Sequence, residues 1–404
     1  MKRVISNLIL GAMLFFSSTA FAQNEPRPRQ NKQYNMEQAT SERAQLHTVA
    51  FNGLAFMTGN FGADTFFPPG KVADFFGFQF MRDNDKNEKG HNTDFLTRIA
   101  NNVIAILTPN QLLQLKDLAN TQAPVYNAFA LKRMVLIKAF RTSLETGKEL
   151  NKAEIIKFGA ELYALDADLS YNRAVVVGSV INSFSTEQKS ALAKLQFNNS
   201  DSWPILPENL DKKSLMHRAH VCVMTYASEL FSWYAGSVEA DVYFCPERHG
   251  TYFGGFYMKD FPAMGNHDYS ISTALTGDAG RDFIATLNAT QAESLYETMR
   301  KQAPLLSEIV KIREAVSFEL RKTMTNEKPD KETVYSLIKR YGELDSEMSY
   351  YEANAFSAIY KTLTESQKQK LIQIRNQSVL PKGAYIYSDP VDLPENLKFD
   401  YLMK

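Results

Sequence analysis

Cys245 and His249 stand four residues apart in Cys-Pro-Glu-Arg-His, with Met258, Met264 and His267 downstream. Thiolate, imidazole and thioether together suit copper. The competing use of the same thiol is a disulfide to Cys222, since the chain holds two cysteines and carries an export signal described below. A second cluster, Asp83-Asn84-Asp85-Lys86-Asn87, sets oxygen donors at Asp83, Asp85 and Asn87, with Asp94 at the twelfth position of a calcium-type loop. Glu88 occupies the place where such a loop needs glycine, and Asp94 is shorter than the usual glutamate. A solvated turn is the simpler use of these residues. His217 and His220 lie three apart on one helical face and would begin a zinc site, but spacing supplies no third ligand. Asp64/Asp241 and Asp83/Asp260 are acidic pairs that suit acid–base chemistry, although capping and turn roles use the same residues more often. No nucleophile elbow, phosphate-binding loop, HExxH motif or kinase set occurs. The expectation is therefore a non-enzyme with no catalytic residues and no resident cofactor, unless copper, zinc or calcium occupies one of these clusters.

The composition narrows the partners. Across 404 residues, 45 Lys and Arg balance 45 Asp and Glu, so no field of one sign favours nucleic acid or an anionic membrane. With 44% hydrophobic and 22% charged residues, the chain is neither disordered nor a bundle of membrane spans. The two cysteines exclude a disulfide-dense scaffold and a four-cysteine metal site.

Residues 1–22 have the form of a signal peptide: Lys2 and Arg3, an apolar run over 8–16, and Ala20-Phe21-Ala22 as the cleavage site. Cleavage after Ala22 leaves 43 basic and 45 acidic groups, a charge of −2 on an exported, periplasmic chain. Residues 23–40 are polar with two prolines and read as a disordered lead-in.

The remainder repeats itself. Ala63-Asp64-Thr65-Phe66-Phe67-Pro68-Pro69 returns 177 residues on as Ala240-Asp241-Val242-Tyr243-Phe244-Cys245-Pro246. Ala123-Pro124 and Arg141 match Ala303-Pro304 and Arg321 at a spacing of 180, and Leu165-Asp166 matches Leu344-Asp345 at 179. The expected organisation is a tandem duplication with units at 41–198 and 212–380 and a C-terminal tail over 381–404. Pro68 and Val72 stand where the second copy has Cys245 and His249, so both copies do not need that cluster. Each copy reads as helical. Ile155, Phe158, Leu162, Leu165 and Leu169 form one apolar stripe, and Val334, Leu337, Ile338, Tyr341, Leu344 and Met348 form its counterpart. The expected fold is all-α, two pseudo-symmetric helical units with aromatic-rich loops. The aromatic segments near 65–82 and 243–258 suit short hairpins or irregular lids, and their Phe/Tyr clusters at 75–80 and 252–257 suit core packing more often than a ligand platform.

One short pattern marks helix starts four times: Leu107-Thr108-Pro109-Asn110-Gln111, Phe184-Ser185-Thr186-Glu187-Gln188, Leu287-Asn288-Ala289-Thr290-Gln291 and Leu363-Thr364-Glu365-Ser366-Gln367. Thr108, Ser185, Asn288 and Thr364 can each cap a free backbone N–H, and Gln111, Gln188, Gln291 and Gln367 can each reach back to the N–H of the cap. Pro109 sits at the first helical position, where its missing N–H costs nothing, and Leu107 can staple to Leu112.

Four such motifs, two per copy, resemble the LTxxQ-motif periplasmic proteins of the CpxP/Spy type over about 105–195 and 285–375. The resemblance implies a helical hairpin that pairs into a curved cradle, and ATP-independent chaperone or envelope-stress function, with metal binding in some relatives. Two such units in one chain imply a monomer with an internal pseudo-dimer, holding unfolded or envelope proteins on an apolar inner surface. A metal-responsive envelope protein and a structural docking module are the alternatives. The aromatic segments and the helical stretch at 211–238 have no counterpart in short members of that family, and the neutral charge departs from its basic cradle.

Overall fold

A computed structural model describes residues 41–58, 94–195, 202–235, 277–377 and 396–404. Among these residues the protein is all-α. Ten helices follow in order: α1 (Glu42–Thr58), α2 (Asp94–Ile106), α3 (Pro109–Thr146), α4 (Lys152–Asn182), α5 (Thr186–Ala193), α6 (His217–Ala235), α7 (Gly277–Thr286), α8 (Ala289–Arg321), α9 (Lys331–Thr362) and α10 (Glu365–Gln377). The β-type pairing among the described residues is one isolated antiparallel bridge, Leu150 with Met403.

The long helices start and stop by local chemistry. The Asn151 side chain caps α4 at the Glu154 N–H, and Asp330 caps α9 at the N–H groups of Glu332 and Thr333. α3 ends at Gly147, held at φ +76° with its N–H on the Ser143 carbonyl. That left-handed cap favours glycine. At the corresponding turn after α8 a 3₁₀ segment ends on Asn326 at φ 62°, the same device made with the next most tolerant residue. α3 and α8 each run through a proline, Pro124 and Pro304, on an exposed face where water can take the freed carbonyl.

The stripes read from sequence are the seam of the molecule. Ile155, Leu162 and Leu169 of α4 and Val334, Ile338, Tyr341, Leu344 and Met348 of α9 are buried, and α4 and α9 form the most extensive helix pair. Two glycines set how close they come. A Cβ on Gly159 would lie 2.6 Å from the Gly342 carbonyl oxygen, and one on Gly342 would lie 2.5 Å from that of Gly159. Beside the crossing, the Tyr163 and Tyr341 rings stand 5.0 Å apart, and the Tyr163 hydroxyl donates to Asp345 Oδ2 at 2.8 Å. Arg313 donates to the Tyr341 hydroxyl at 3.1 Å.

The halves are also exchanged. α1 packs mainly on α7, α8, α9 and α10, which follow it by more than half the chain, whereas α6 packs mainly on α2 and α3. Gly53 lies against the Phe356 ring, and Gly280 lies so close to the His47 backbone that a Cβ would meet its carbonyl oxygen at 2.5 Å. The two stretches 41–198 and 212–380 therefore each surround a helix supplied by the other.

The last residues are fastened rather than trailing. The Asn151 N–H donates to the Leu402 carbonyl at 2.8 Å and the Lys404 N–H to that of Glu149 at 2.9 Å, burying Leu402 and Met403 at the α3–α4 turn. Burial of two apolar side chains is what holds this end of the chain.

Candidate functional site

All four capping motifs close in both directions. Gln111 Oε1 accepts from the Thr108 N–H at 2.9 Å, and Thr108 Oγ1 accepts from the Gln111 N–H at 3.3 Å. The corresponding pairs measure 3.0 and 3.2 Å at Ser185/Gln188, 2.9 and 2.9 Å at Asn288/Gln291, and 3.0 and 3.2 Å at Thr364/Gln367. The apolar residue before each cap contributes to the core: Phe184 and Leu363 are buried, Leu107 and Leu287 half-buried.

The glutamines do more than capping requires. Gln188 Nε2 donates to Gln111 Oε1 at 2.7 Å and to the Ile106 carbonyl at 2.8 Å. In return Gln111 Nε2 reaches Gln188 Oε1 at 3.3 Å and Ser183 Oγ at 2.8 Å. The other half repeats the arrangement: Gln367 Nε2 donates to Gln291 Oε1 at 2.7 Å and to the Thr286 carbonyl at 2.9 Å, and Gln291 Nε2 donates to the Thr362 carbonyl at 3.0 Å. Each glutamine thus caps the helix it opens and closes the end of a helix belonging to the other motif. Carbonyls at helix ends have no intrahelical partner, so the cross-links meet a real deficit. The sequence carries the signal, since the last position of all four motifs is Gln and never Glu. Either residue completes a capping box, but Glu has no N–H to donate.

This makes a graded expectation. Thr108→Ala removes one part-buried cap bond and should cost about 1 kcal/mol. Gln188→Glu keeps the acceptor but sets a carboxylate against Gln111 Oε1 and the Ile106 carbonyl, and should cost about 2–3 kcal/mol. Urea midpoints of the two variants decide it. Equal losses would mean that the crosswise bonds contribute nothing.

A second polar cluster lies where α6 meets α3 and α4. Gln122 Nε2 donates to the Leu169 carbonyl at 2.9 Å, and the Tyr226 hydroxyl of α6 donates to Gln122 Oε1 at 2.6 Å. Arg173 of α4, fully buried, pairs with Glu229 of α6 at 2.9 Å, its guanidinium 5.4 Å from the Tyr226 ring. Burial pushes the Glu229 carboxyl up to about 7, with Arg173 pulling it back down. The other half has the same scaffold and different charge. Gln302 Nε2 donates to the Met348 carbonyl at 3.3 Å and to Glu352 Oε1 at 2.8 Å, and Asn52 of α1 donates to Glu352 Oε2 at 3.2 Å. Arg141 lies over Phe56 of α1 at 4.5 Å and Arg321 over Trp233 of α6 at 5.3 Å. Where one half has Arg173 facing Glu229, the other has Glu352 facing Asn52. Glu229 placed opposite Glu352 would set like charges together, so the pairs select which helix fills which half.

Of the other candidates, Cys222 is buried in α6, while Cys245, His249 and His267 lie outside the described residues, as do Met258, Met264, Asp83, Asp85 and Asn87. One cysteine of the expected disulfide and both ligand clusters, Asp94 excepted, therefore fall there, together with the aromatic segments near 65–82 and 243–258. Asp94 opens α2. Among the described residues no group of three His, Cys, Asp or Glu is placed to hold a metal ion. His220 Nε2 contacts Glu208 Oε1, a pairing of neighbours in sequence.

Fold and site define an all-α protein of interlocked halves, organised by paired glutamine clasps and by two exchanged helices. No helix among the described residues is long and apolar enough to cross a membrane. No protein-family model, curated protein or solved structure matches the chain.

Proposed function

We propose that this chain is an exported, ATP-independent holding protein of the envelope that binds unfolded client proteins. The observation that supports the reading most is the assembly of the four Leu/Phe-(Thr/Ser/Asn)-x-x-Gln motifs into two reciprocal clasps, one per half. That is the feature by which the chain resembles the LTxxQ-motif periplasmic proteins. The signal-like residues 1–22 support the location, and the repeated halves support a tandem duplication with an internal pseudo-dimer.

The client surface is not the stripe on α9. Tyr341, Leu344 and Met348 are buried, and α4 covers that helix. Among the described residues the exposed large apolar side chains include Leu113, Val175, Ile205 and Phe318, on four different segments. The larger apolar surface among the described residues is surface that the resting molecule keeps covered. The test is light scattering from a reduced, aggregating model client with the cleaved, full-length protein at near-equimolar ratio and no nucleotide. Suppression of scattering is expected, and a client that aggregates at its own rate would remove the reading.

A further inference from the structure

Two helices of this molecule are buried on nearly every side. In α6, Ala219, residues 222–228, Leu230, Phe231 and Trp233 are covered, and in α1 Gln45, Leu46, residues 48–54, Phe56 and Met57 are covered. A helix buried all round is enclosed by what surrounds it rather than laid on a surface. What surrounds α6 is chiefly the other half of the chain, α2 and α3, with Arg173 of α4 and Gln122 of α3 facing it. The trough is thus built to receive a helix that is not its sequence neighbour. Its chemistry defines the guest: largely apolar and aromatic, with a hydroxyl for Gln122 and one carboxylate for Arg173. α6 meets the specification with Tyr226 and Glu229.

The hold on α6 suits exchange. Most of it is apolar burial, which is non-directional and open to any helix of similar girth. Its charged contacts among the described residues include the buried Arg173–Glu229 pair, whose attraction is largely offset by the cost of taking both ions out of water, and Arg321, which lies over the Trp233 ring and donates to the Trp233 carbonyl at 2.9 Å. Chain connection raises the effective concentration of α6 at the trough, so a guest must compete with it, and the resting protein stays covered.

We propose that the trough formed by α2, α3 and α4 is the client site, that α6 is its resident occupant, and that apolar helical segments carrying one carboxylate displace α6 from it. The proposal rests on the holding function above and names the class of client. It also accounts for how a holding protein keeps its apolar surface covered at rest.

Two measurements on the full-length protein test it. Native-state hydrogen exchange should show α6 amides opening locally, with protection lower than that of α4 and α9 on the order of 100-fold. If α6 exchanges together with α4 and α9 in one global step, it is a permanent core helix and the proposal is overturned. A fluorescein-labelled peptide of residues 217–235 should bind the intact protein saturably, and the same peptide carrying Glu229→Lys, which sets a cation against Arg173, should bind at least about 10-fold more weakly. No saturable binding, or equal binding of the two peptides, also overturns it. Peptide capture without suppression of client aggregation would leave the trough standing and remove the chaperone. Suppression without capture would do the reverse.

Discussion

Gly342→Ala is expected to destabilise the protein, although alanine is the better helix former. In an exposed helix the substitution would gain about 1 kcal/mol. Here the new methyl would stand 2.5 Å from the Gly159 carbonyl oxygen and 2.6 Å from Tyr163 Cβ. Both are far inside normal contact distance, and one is backbone, which no rotamer change can move. α4 and α9 must separate along the seam that joins the halves, and overpacking of this kind costs about 3 kcal/mol, so the clash outweighs the propensity. Gly159→Ala should behave alike, since its methyl would meet Ser346 Oγ at 1.7 Å and the Gly342 carbonyl at 2.6 Å. Ser346→Gly should relieve only part of that loss, because the carbonyl stays in place. Urea denaturation gives the result. A raised midpoint for Gly342→Ala would show that the helices do not cross as described.

The second large effect is pH dependence centred on Glu229. Its carboxyl is raised from the ordinary 4.5 to about 7, mainly by burial. The folded protein therefore holds this proton more tightly than the unfolded chain does. The stabilisation from that proton is full below about 4.5 and is lost as pH rises to about 7, an effect of about 3 kcal/mol for a shift of this size. Glu229→Gln should abolish this component, so the difference between wild type and variant should fall steeply over that window and level off above it. Arg173→Met, which leaves Glu229 without its cation, should move the step to higher pH. Denaturation midpoints from pH 4 to 8 are the measurement. Parallel curves for wild type and Glu229→Gln would mean that this carboxyl does not titrate as its burial requires.

How far these features were readable from sequence depends on the range of the interaction behind each. The helices α3, α4, α8 and α9 followed from stripes and caps, because periodicity and capping are properties of neighbours three and four residues apart. The four motifs were readable for the same reason, and their geometry holds at every one. The crosswise amide bonds were not, since they join residues 77 apart in one half and 76 apart in the other, although the consistent Gln was a usable clue. The partnership of α1 with α6 also escaped notice. The matching residues Asn52/Glu229 and Phe56/Trp233 play equivalent parts, yet they differ in identity, so no repeat was apparent before position 63. A helix buried on nearly every side carries no single face that names its neighbours, which is why the exchange of α1 and α6 was not legible. The glycines at the seam gave no warning either, since a glycine inside a helix reads as a weakness until its close contact is known.

The exchange also dictates an order of events in time. A polypeptide is made from its N-terminus, so α1 appears first, with Leu46, Phe51 and Phe56 awaiting a trough that exists only once residues 277–377 have followed. The trough of α2 and α3 in turn waits for residues 217–235. A nascent form that stops before residue 277 lacks the helices on which α1 mainly packs. Contacts of such long sequence separation are slow to form, and chains that rely on them spend longer exposed. A protein proposed to shelter unfinished chains thus passes through its own making with α1 waiting on helices that follow it by more than half the chain.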